Sequence, residues 1–419
     1  MRVSVISKVD AREVLDSRGN PTVEVEVKTR GGARGWAIVP SGASTGLYEA
    51  VELRDGDDRF HGKGVQGAVA AVSKIIAPKV IGLDARDQSG IDRLMIELDG
   101  TDNKSRLGGN SILGVSIACA KAASASEGLQ LYEYVGEGGL SILPIPFFNI
   151  INGGKHAGNQ LDFQEFMVVP VGAGSFREAV RIGSEIYHTL RAQLFEEYGK
   201  NAINVGDEGG FSPPLSRPRK ALDAIIYAVE ETGYSDKVSL GMDVAASSFF
   251  KKDEGYSVSG ELLDCGEMID LYRDLVEAYP IISIEDPLEE EDYEGFVEVT
   301  EELNIQILGD DIFVTNPARL RKGIEMGAAN ALLWKVNQVG TLTEAIDAAK
   351  LAKDNGYAVQ ASHRSGDTED PFVADLAVGI GCGQIKSGAP ARGERTAKYN
   401  RLLRIEEWLG EDSIYPTSF

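Results

Sequence analysis

The first third of the chain passes from strand-like to helix-like spacing of its hydrophobic residues. Residues 23–27 alternate valine with glutamate, which is the period of a half-buried strand, and a further apolar patch follows at 36–39. Apolar residues then recur at helical spacing over about 65–80 and 112–127. Strands followed by helices predict a small α+β domain, and the glycine- and proline-rich segment 136–146 is typical of a linker at its end.

The rest of the chain alternates short apolar segments with helical patterns. The predicted strands lie near 147–151, 163–169, 239–243, 281–285, 306–310, 330–335, 357–363 and 384–386, and the first two helices lie near 175–197 and 217–232. Eight strands within about 280 residues predict a closed eight-stranded α/β barrel of the TIM type. Because two strands precede the first two helices, the barrel begins with an irregular ββαα order. We place the domains at residues 1–138 and 139–419.

The charge and composition exclude several classes of function. With 65 acidic against 42 basic residues, the chain has a formal net charge of −23, so we expect it to bind neither nucleic acid nor an anionic membrane surface. The charged N-terminus is unlike a signal peptide, and no apolar run approaches the roughly 18 residues of a membrane helix. Three scattered cysteines form neither a disulfide framework nor a metal-ligand spacing. We therefore expect a cytoplasmic protein without membrane insertion.

Ionisable residues end most of the later predicted strands. They are Asp243, Glu285, Asp310, Lys335, His363 and Lys386, at successive spacings of 42, 25, 25, 28 and 23 residues. Because the carboxyl ends of barrel strands meet at one mouth, where the active sites of this fold lie, we expect these side chains to converge. Any one of them alone would be interpreted as a surface charge beside a turn. Their regular succession favours a functional site.

Three of these residues are carboxylates and predict a metal site. Asp243, Glu285 and Asp310 would repel one another at one mouth unless a cation lay among them. Oxygen ligands favour a hard ion, so Mg²⁺ is expected rather than zinc. The alternative is a network of ion pairs with the two strand-end lysines. If the strand continues, Asp311 is expected to point away from Asp310, since neighbouring residues of a strand face opposite sides.

Lys335 is a candidate general base. It follows the apolar segment 331–334, where desolvation and a neighbouring Mg²⁺ would both disfavour the ammonium form and lower its pKa. A lysine that forms a Schiff base is the alternative role, and metal ligands on the adjacent strands count against it.

Polar loops between the predicted elements supply further candidates. They are His156 in NGGKHAGN, Glu165 in QEF, Glu208 in GDEGG, and Arg364 with Ser365 in HRSG. Arg364 and Ser365, like the hydroxyl and N–H groups of segment 41–45, could hold a phosphate, although no Walker-type loop occurs. Taken singly, His156 and Glu208 are also consistent with solvated residues in polar turns.

Eleven motifs spread in order over nearly the whole chain resemble those of the enolase family. They are DSRGNPTVEVEV (16–27), PSGASTG (40–46), NGGKHAGN (152–159), QEFM (164–167), NVGDEGGF (204–211), SIEDP (283–287), GDD (309–311), VTNP (314–317), KVNQVGT (335–341), SHRSGDTED (362–370) and IKSGAPARGER (385–395). The resemblance implies that the N-terminal domain caps a barrel with a ββαα start. It also implies two Mg²⁺ ions per active site and a homodimer or larger assembly of dimers, in which Glu24 and Arg404 match paired interface positions.

The resemblance also implies roles for individual residues. Asp243, Glu285 and Asp310 match the ligands of the first Mg²⁺, and Ser44 matches a mobile-loop ligand of the second. The remaining assignments are Lys335 as the base at C2, Glu208 with Glu165 as the acid at C3, His156 as a substrate-binding and catalytic residue, Arg364 and Ser365 as phosphate ligands, and Lys386 as a carboxylate contact. Trp334 is bulkier than the aliphatic residue expected before the base.

The implied function is that of a glycolytic hydro-lyase that reversibly dehydrates 2-phosphoglycerate to phosphoenolpyruvate. Lys335 would remove the C2 proton, and Glu208, with its pKa raised by nearby Glu165, would protonate the departing C3 hydroxyl. One alternative is a related barrel enzyme acting on another carboxylate, which would have no use for the phosphate ligands. Another is a non-catalytic binding protein of the same fold, against which the complete set of catalytic residues argues.

Overall fold

The chain begins with an antiparallel sheet. The computed structural model describes residues 3–42, 48–136, 139 and 142–416, and its first strands are β1 (Ile6–Leu15), β2 (Pro21–Thr29) and β3 (Arg34–Ile38), in the order β1–β2–β3. The valines of residues 23–27 are fully buried and the glutamates between them are partly exposed, as the alternating pattern predicts. The valine face of the sheet therefore packs inward.

Helices cover this buried face. They are α1 (Gln66–Ala71), which continues through a π-helical turn (Val72–Ile76) into α2 (Ala77–Val80), followed by α3 (Gln88–Asp99), α4 (Gly109–Glu127) and α5 (Leu131–Val135). Helix α4 lies so close to β3 that a Cβ at Gly35 would stand 2.2 Å from the carbonyl oxygen of Ala118. The contact therefore requires glycine, and it joins sheet and helices into the α+β domain that the sequence predicts.

The following part of the chain folds into a closed eight-stranded barrel. Its strands and those of a small inserted sheet are β4 (Ile145–Asn152), β5 (Glu165–Val169), β6 (Ser239–Asp243), β7 (Phe250–Lys251), β8 (Gly255–Val258), β9 (Glu261–Leu263), β10 (Ile281–Glu285), β11 (Gln306–Gly309), β12 (Ala331–Trp334), β13 (Ala358–Ser362) and β14 (Gly383–Lys386). The barrel order is β4–β5–β6–β10–β11–β12–β13–β14, and β14 pairs with β4. Strand β5 runs antiparallel to both neighbours, whereas the other pairs are parallel. The predicted fold class is confirmed.

Helices form the outer layer of the barrel. They are α6 (Phe176–Tyr198), α7 (Pro218–Glu231), α8 (Cys265–Ala278), α9 (Tyr293–Glu302), α10 (Pro317–Met326), α11 (Val336–Val339), α12 (Leu342–Asp354), α13 (Phe372–Ile380) and α14 (Gly393–Leu409). In the order of the chain, helices α6 and α7 come after β5 and before β6, which gives the predicted ββαα start. The sheet β7–β9 is inserted before α8 and accounts for the 42 residues between Asp243 and Glu285. Among the described residues, no helix is both long and apolar enough to cross a membrane.

Two sequence expectations need local correction. Strand β4 begins at Ile145, inside the segment that the sequence assigned to a linker, because the apolar residues there enter the barrel sheet. Trp334, the bulky residue before Lys335, is fully buried and its indole Nε1 donates to the carbonyl oxygen of Ala345 on α12 at 2.6 Å. The large ring therefore packs between strand and helix, on the side away from the barrel interior.

A layer of buried amides crosses the barrel interior below its mouth. Gln306 Nε2 donates to Ser283 Oγ and to Gln384 Oε1, both at 2.9 Å. Gln384 Nε2 donates back to Gln306 Oε1 at 2.7 Å, and Gln360 Nε2 donates to Gln384 Oε1 at 3.0 Å. These bonds join β10, β11, β13 and β14, so the layer fixes the strands whose ends form the barrel mouth.

Replacing Gln384 with Met should lower the free energy of unfolding by about 2–4 kcal/mol, because Gln306 and Gln360 each lose a buried partner. Urea unfolding followed by circular dichroism measures the loss. The double variant Gln306→Met/Gln384→Met is the control, and it should lose less than the sum of the single variants because it leaves fewer amides unpaired. Strictly additive losses would show that the two amides do not depend on each other.

Candidate active site

A cavity of about 390 Å³ opens at the carboxyl ends of the barrel strands. The predicted site residues that line it are His156, Glu165, Glu208, Asp243, Asp310, Lys335, Arg364, Ser365 and Lys386. Glu285 lies against the cavity through its contact with Lys386. Ser44 lies outside the described residues. The structure thus brings the described candidates to one place, while their individual roles stay predictions.

Lys386 lies among three carboxylates. Its Nζ is 2.6 Å from Glu285 Oε2, 3.2 Å from Asp243 Oδ2 and 3.2 Å from Glu165 Oε2, and the residue is only 2% exposed. Burial lowers the pKa of Lys386, but these carboxylates raise it much further, so it lies well above its ordinary value. Lys386 is therefore an ammonium that neutralises part of the acidic cluster.

Lys335, which follows β12, pairs with Asp310, which follows β11. Its Nζ donates to Asp310 Oδ2, Gln338 Nε2 donates to Asp310 Oδ1 at 2.9 Å, and the Lys335 N–H donates to Thr315 Oγ1 at 2.9 Å. Burial lowers the pKa of Lys335, but the Asp310 carboxylate raises it more, so the pKa lies above its ordinary value. The expected fall in the pKa of Lys335 assumed a neighbouring Mg²⁺ and stays a prediction. The sequence did not show that Asp310 pairs directly with the lysine.

Two carboxylate oxygens in the cluster fit a cation. Asp243 Oδ1 and Glu285 Oε1 are buried and accept no hydrogen bond from any residue that the structure describes. Burial and the nearby Asp243 raise the pKa of Glu285 well above its ordinary value. Buried, unsatisfied carboxylate oxygens are costly, and a hard cation would satisfy them. Asp243, Glu285 and Asp310 therefore could hold a metal ion.

The condition under which Asp311 would point away from Asp310 is not met. Strand β11 ends at Gly309, so alternation does not continue, and Asp311 lines the cavity instead of pointing away. Carboxylate oxygens of Asp286, Asp310 and Asp311 lie within 4.8 Å of one another, and burial and Asp310 raise the pKa of Asp311 to about 7. Sequence reasoning also missed Asp286, whose carboxylate accepts the N–H groups of Asp310 and Asp311 at 2.9 and 2.8 Å.

A second acidic cluster lines the same cavity. His156 Nδ1 is 3.5 Å from Glu208 Oε1 and 3.7 Å from Glu165 Oε1, and Asn149 Nδ2 donates to Glu208 Oε2 at 2.9 Å. Burial and the neighbouring Glu208 raise the pKa of Glu165 well above its ordinary value. Burial also raises the pKa of Glu208, but the His156 and His363 rings lower it more, so it lies well below its ordinary value. Of this pair, Glu165 is therefore the carboxyl group with the raised pKa, and the expected raised pKa is not found at Glu208 itself.

The first domain reaches the cavity beside Arg364. Arg364 Nη1 donates to Glu49 Oε2 and to Asn337 Oδ1, both at 3.0 Å. The backbones of Ser41 and Gly366 exchange hydrogen bonds of 2.7 and 2.9 Å. These contacts fix the loop that carries Arg364 against the N-terminal domain. Sequence reasoning missed Glu49, since neither its spacing nor its type marks it among the other acidic residues.

His363 is held by an arginine that the sequence did not single out. Arg395 Nη1 is 2.6 Å from His363 Nδ1, and His363 Nε2 lies 3.5 Å from Glu208 Oε1. Burial lowers the pKa of His363 to about 4. Arg395 occurs at the end of the motif 385–395, but no pattern in the sequence connects it with His363.

The fold and the cavity together define an α/β-barrel enzyme with buried acid–base groups and a carboxylate set that could hold a cation. Two family models match the chain: one described as the enolase N-terminal domain over residues 6–135, and one described as the enolase C-terminal TIM barrel domain over residues 140–418.

Individual relatives agree over nearly the whole length. The chain is 63% identical over 409 residues to the enolase of Methanopyrus kandleri, with 96% of each chain covered. It is 62% identical over 405 residues to the enolase of Methanocaldococcus jannaschii (97% of this chain, 96% of the relative) and 61% identical over 416 residues to that of Thermococcus kodakarensis (98% and 96%). The chain belongs to the enolase family, and it is a hydro-lyase of the phosphopyruvate hydratase class.

Replacing Lys386 with Met should destabilise the protein strongly. Its three carboxylate partners would lose a buried counter-charge, and we expect the free energy of unfolding to fall by about 3–5 kcal/mol in urea titrations with EDTA present. Lys237→Met is the matched control, since Lys237 pairs with Glu178 near the surface and should matter much less. Equal losses for the two variants would contradict the importance of the buried network.

Proposed function

We propose that this protein catalyses the Mg²⁺-dependent, reversible dehydration of 2-phosphoglycerate to phosphoenolpyruvate. Lys335 removes the C2 proton and Glu208 assists the loss of the C3 hydroxyl. The observation that carries the proposal is one cavity lined both by Lys335 and by the Glu165–Glu208 pair, with Arg364 at its edge. A general base, a general acid and an anion-binding guanidinium are the groups that this reaction needs.

The cation belongs to the carboxylate cluster. Asp243, Glu285 and Asp310 would hold one Mg²⁺, which the unsatisfied oxygens of Asp243 and Glu285 favour, and Ser44 would contribute to a second. When bound, the two ions stabilise the negative charge that develops on the substrate carboxylate, as is general for the enolase superfamily with its Lys or His base.

Lys335 acts as the base only in its neutral form. Burial and the charges of Arg364 and Lys386 all lower its pKa, whereas the carboxylates of Asp310 and Glu285 raise it. Lys335 therefore becomes a base when the negative charge of Asp310 is neutralised. Before that neutralisation, the amine is held at the barrel mouth by its bond to Asp310, and the backbone N–H of Lys335 is held by Thr315.

Glu208 delivers the proton that its neighbour holds. Glu165 is the member of the pair with the raised pKa, and the two carboxyl groups and His156 offer ligand atoms within 4.8 Å of one another. A proton can pass between such close groups, so the pair supplies an acid to the cavity that Lys335 also lines. His156 borders both carboxylates and contacts the substrate there.

The remaining residues hold the substrate. Arg364 and Ser365 bind its phosphate, and Lys386 binds its carboxylate.

The proposal includes a homodimer or larger assembly of dimers in the cytoplasm, acting in glycolysis and gluconeogenesis without nucleic-acid or membrane partners. Glu24, one of the interface residues in this proposal, pairs with Arg12 on the outward face of the sheet, where a second copy could reach it.

The overall reaction gives a direct test. Purified protein with Mg²⁺ and 2-phosphoglycerate should produce the ultraviolet absorbance of phosphoenolpyruvate, and EDTA should abolish the signal because the carboxylate cluster is emptied of its cation. Lys237→Met, far from the cavity, should retain the activity. No absorbance change with Mg²⁺ present would overturn the proposal.

A partial reaction separates the base from the acid. Glu208→Gln should slow dehydration by about 10²–10⁴-fold, yet still exchange the C2 proton of 2-phosphoglycerate with deuterated solvent. Lys335→Ala should lose both exchange and dehydration. Nuclear magnetic resonance of the substrate measures exchange and product together. If both variants exchange at the wild-type rate, Lys335 is not the base.

A further inference from the structure

Arg395 is a fully buried arginine that binds two loops of the active site at once. Its Nη2 donates to the carbonyl oxygens of Asp207 and Ser365 at 2.9 and 2.7 Å, and its Nη1 donates to that of Arg364 at 2.7 Å. The same Nη1 is 2.6 Å from His363 Nδ1. The guanidinium therefore joins the loop before Glu208 to the loop that begins with His363.

The contact with Arg395 determines the tautomer of His363. A guanidinium only donates hydrogen bonds, so Nδ1 has to accept and the ring proton lies on Nε2. Burial lowers the pKa of His363 to about 4, so the ring is neutral at physiological pH. His363 is 3% exposed, and its Nε2 makes no hydrogen bond with any described residue but lies 3.5 Å from Glu208 Oε1.

We propose that Arg395 is a positioning residue that holds His363 in the Nε2–H tautomer, so that a hydrogen-bond donor faces the carboxylate of Glu208. With this donor near Oε1 and Asn149 at Oε2, Glu208 is stabilised as a carboxylate. The opposite tautomer would turn a lone pair toward Glu208 and would remove this stabilisation. The proposal deepens the proposed function, since it concerns how Glu208 is prepared for its step at C3.

The wild-type protein provides the first test. Nitrogen-15 labelling of the histidine rings, with the His363 signals assigned by their loss in His363→Gln, reports which ring nitrogen carries the proton. We expect the Nε2–H pattern at neutral pH. An Nδ1–H pattern or a protonated ring would overturn the proposal, whether or not the enzyme dehydrates 2-phosphoglycerate.

Substitution of Arg395 tests its part directly. Arg395→Met should remove the Nε2–H preference of His363 and slow dehydration by about 10–100-fold, while exchange of the C2 proton by Lys335 continues. Arg395→Lys, which keeps a donating cation, serves if the Met variant does not fold, and should retain part of the preference. Arg401→Met on the same helix, which removes a pairing with Asp375, is the control and should leave the tautomer unchanged.

Two further results distinguish a role in positioning His363 from a purely structural role in holding the loops together. His363→Gln places an amide donor near the Nε2 position and should retain more dehydration activity than His363→Asn. If an Arg395 variant lowers the melting temperature but leaves the Nε2–H tautomer intact, Arg395 only braces the loops and the proposal is wrong. If the tautomer changes as expected but no variant or wild type forms phosphoenolpyruvate, the proposed function fails while the positioning role stands.

Discussion

The buried ion network at the barrel mouth is the interaction on which the rest of the site depends. Lys386 joins Asp243 on β6, Glu285 on β10 and Glu165 on β5, and Lys335 joins Asp310 after β11. Charges buried this deeply are tolerated only when each finds a partner, because desolvation of an isolated one is costly. The network therefore fixes the strand ends relative to one another, and it couples every charge in the cavity to its neighbours.

The barrel below the mouth makes this network possible. Side chains two residues apart on a strand face the same side, so Ser283 lies one layer below Glu285, and Gln384 lies one layer below Lys386. The amides of Gln306 and Gln360 complete that lower layer with satisfied hydrogen bonds. A polar layer under the charged one holds the strand ends without placing an apolar wall directly against ionised groups.

Much of this arrangement could be predicted from the sequence, and the exceptions have physical causes. The barrel and its strand ends could be predicted from periodicity, because the candidate residues Asp243, Glu285 and Lys335 directly follow apolar segments. Asp311 could not be placed because the prediction assumed a strand that in fact stops at Gly309. The contact of Arg395 with His363 spans 32 residues and depends on how α14 packs, for which no local pattern exists.

Protonation was the least predictable property, because it depends on distances between groups that the sequence leaves open. Asp310 shows why: the carboxylate assigned to the cation also neutralises Lys335, the assigned base. In the proposed function, a cation bound at Asp310 and a proton bound to Lys335 repel each other. Binding of the cation therefore favours loss of the lysine proton, by reciprocal linkage. The net charge of −23 is therefore matched by an excess of acidic groups at the barrel mouth itself. An acidic mouth that is to receive a phosphorylated acid and also to free its lysine needs added cationic charge for both purposes at once.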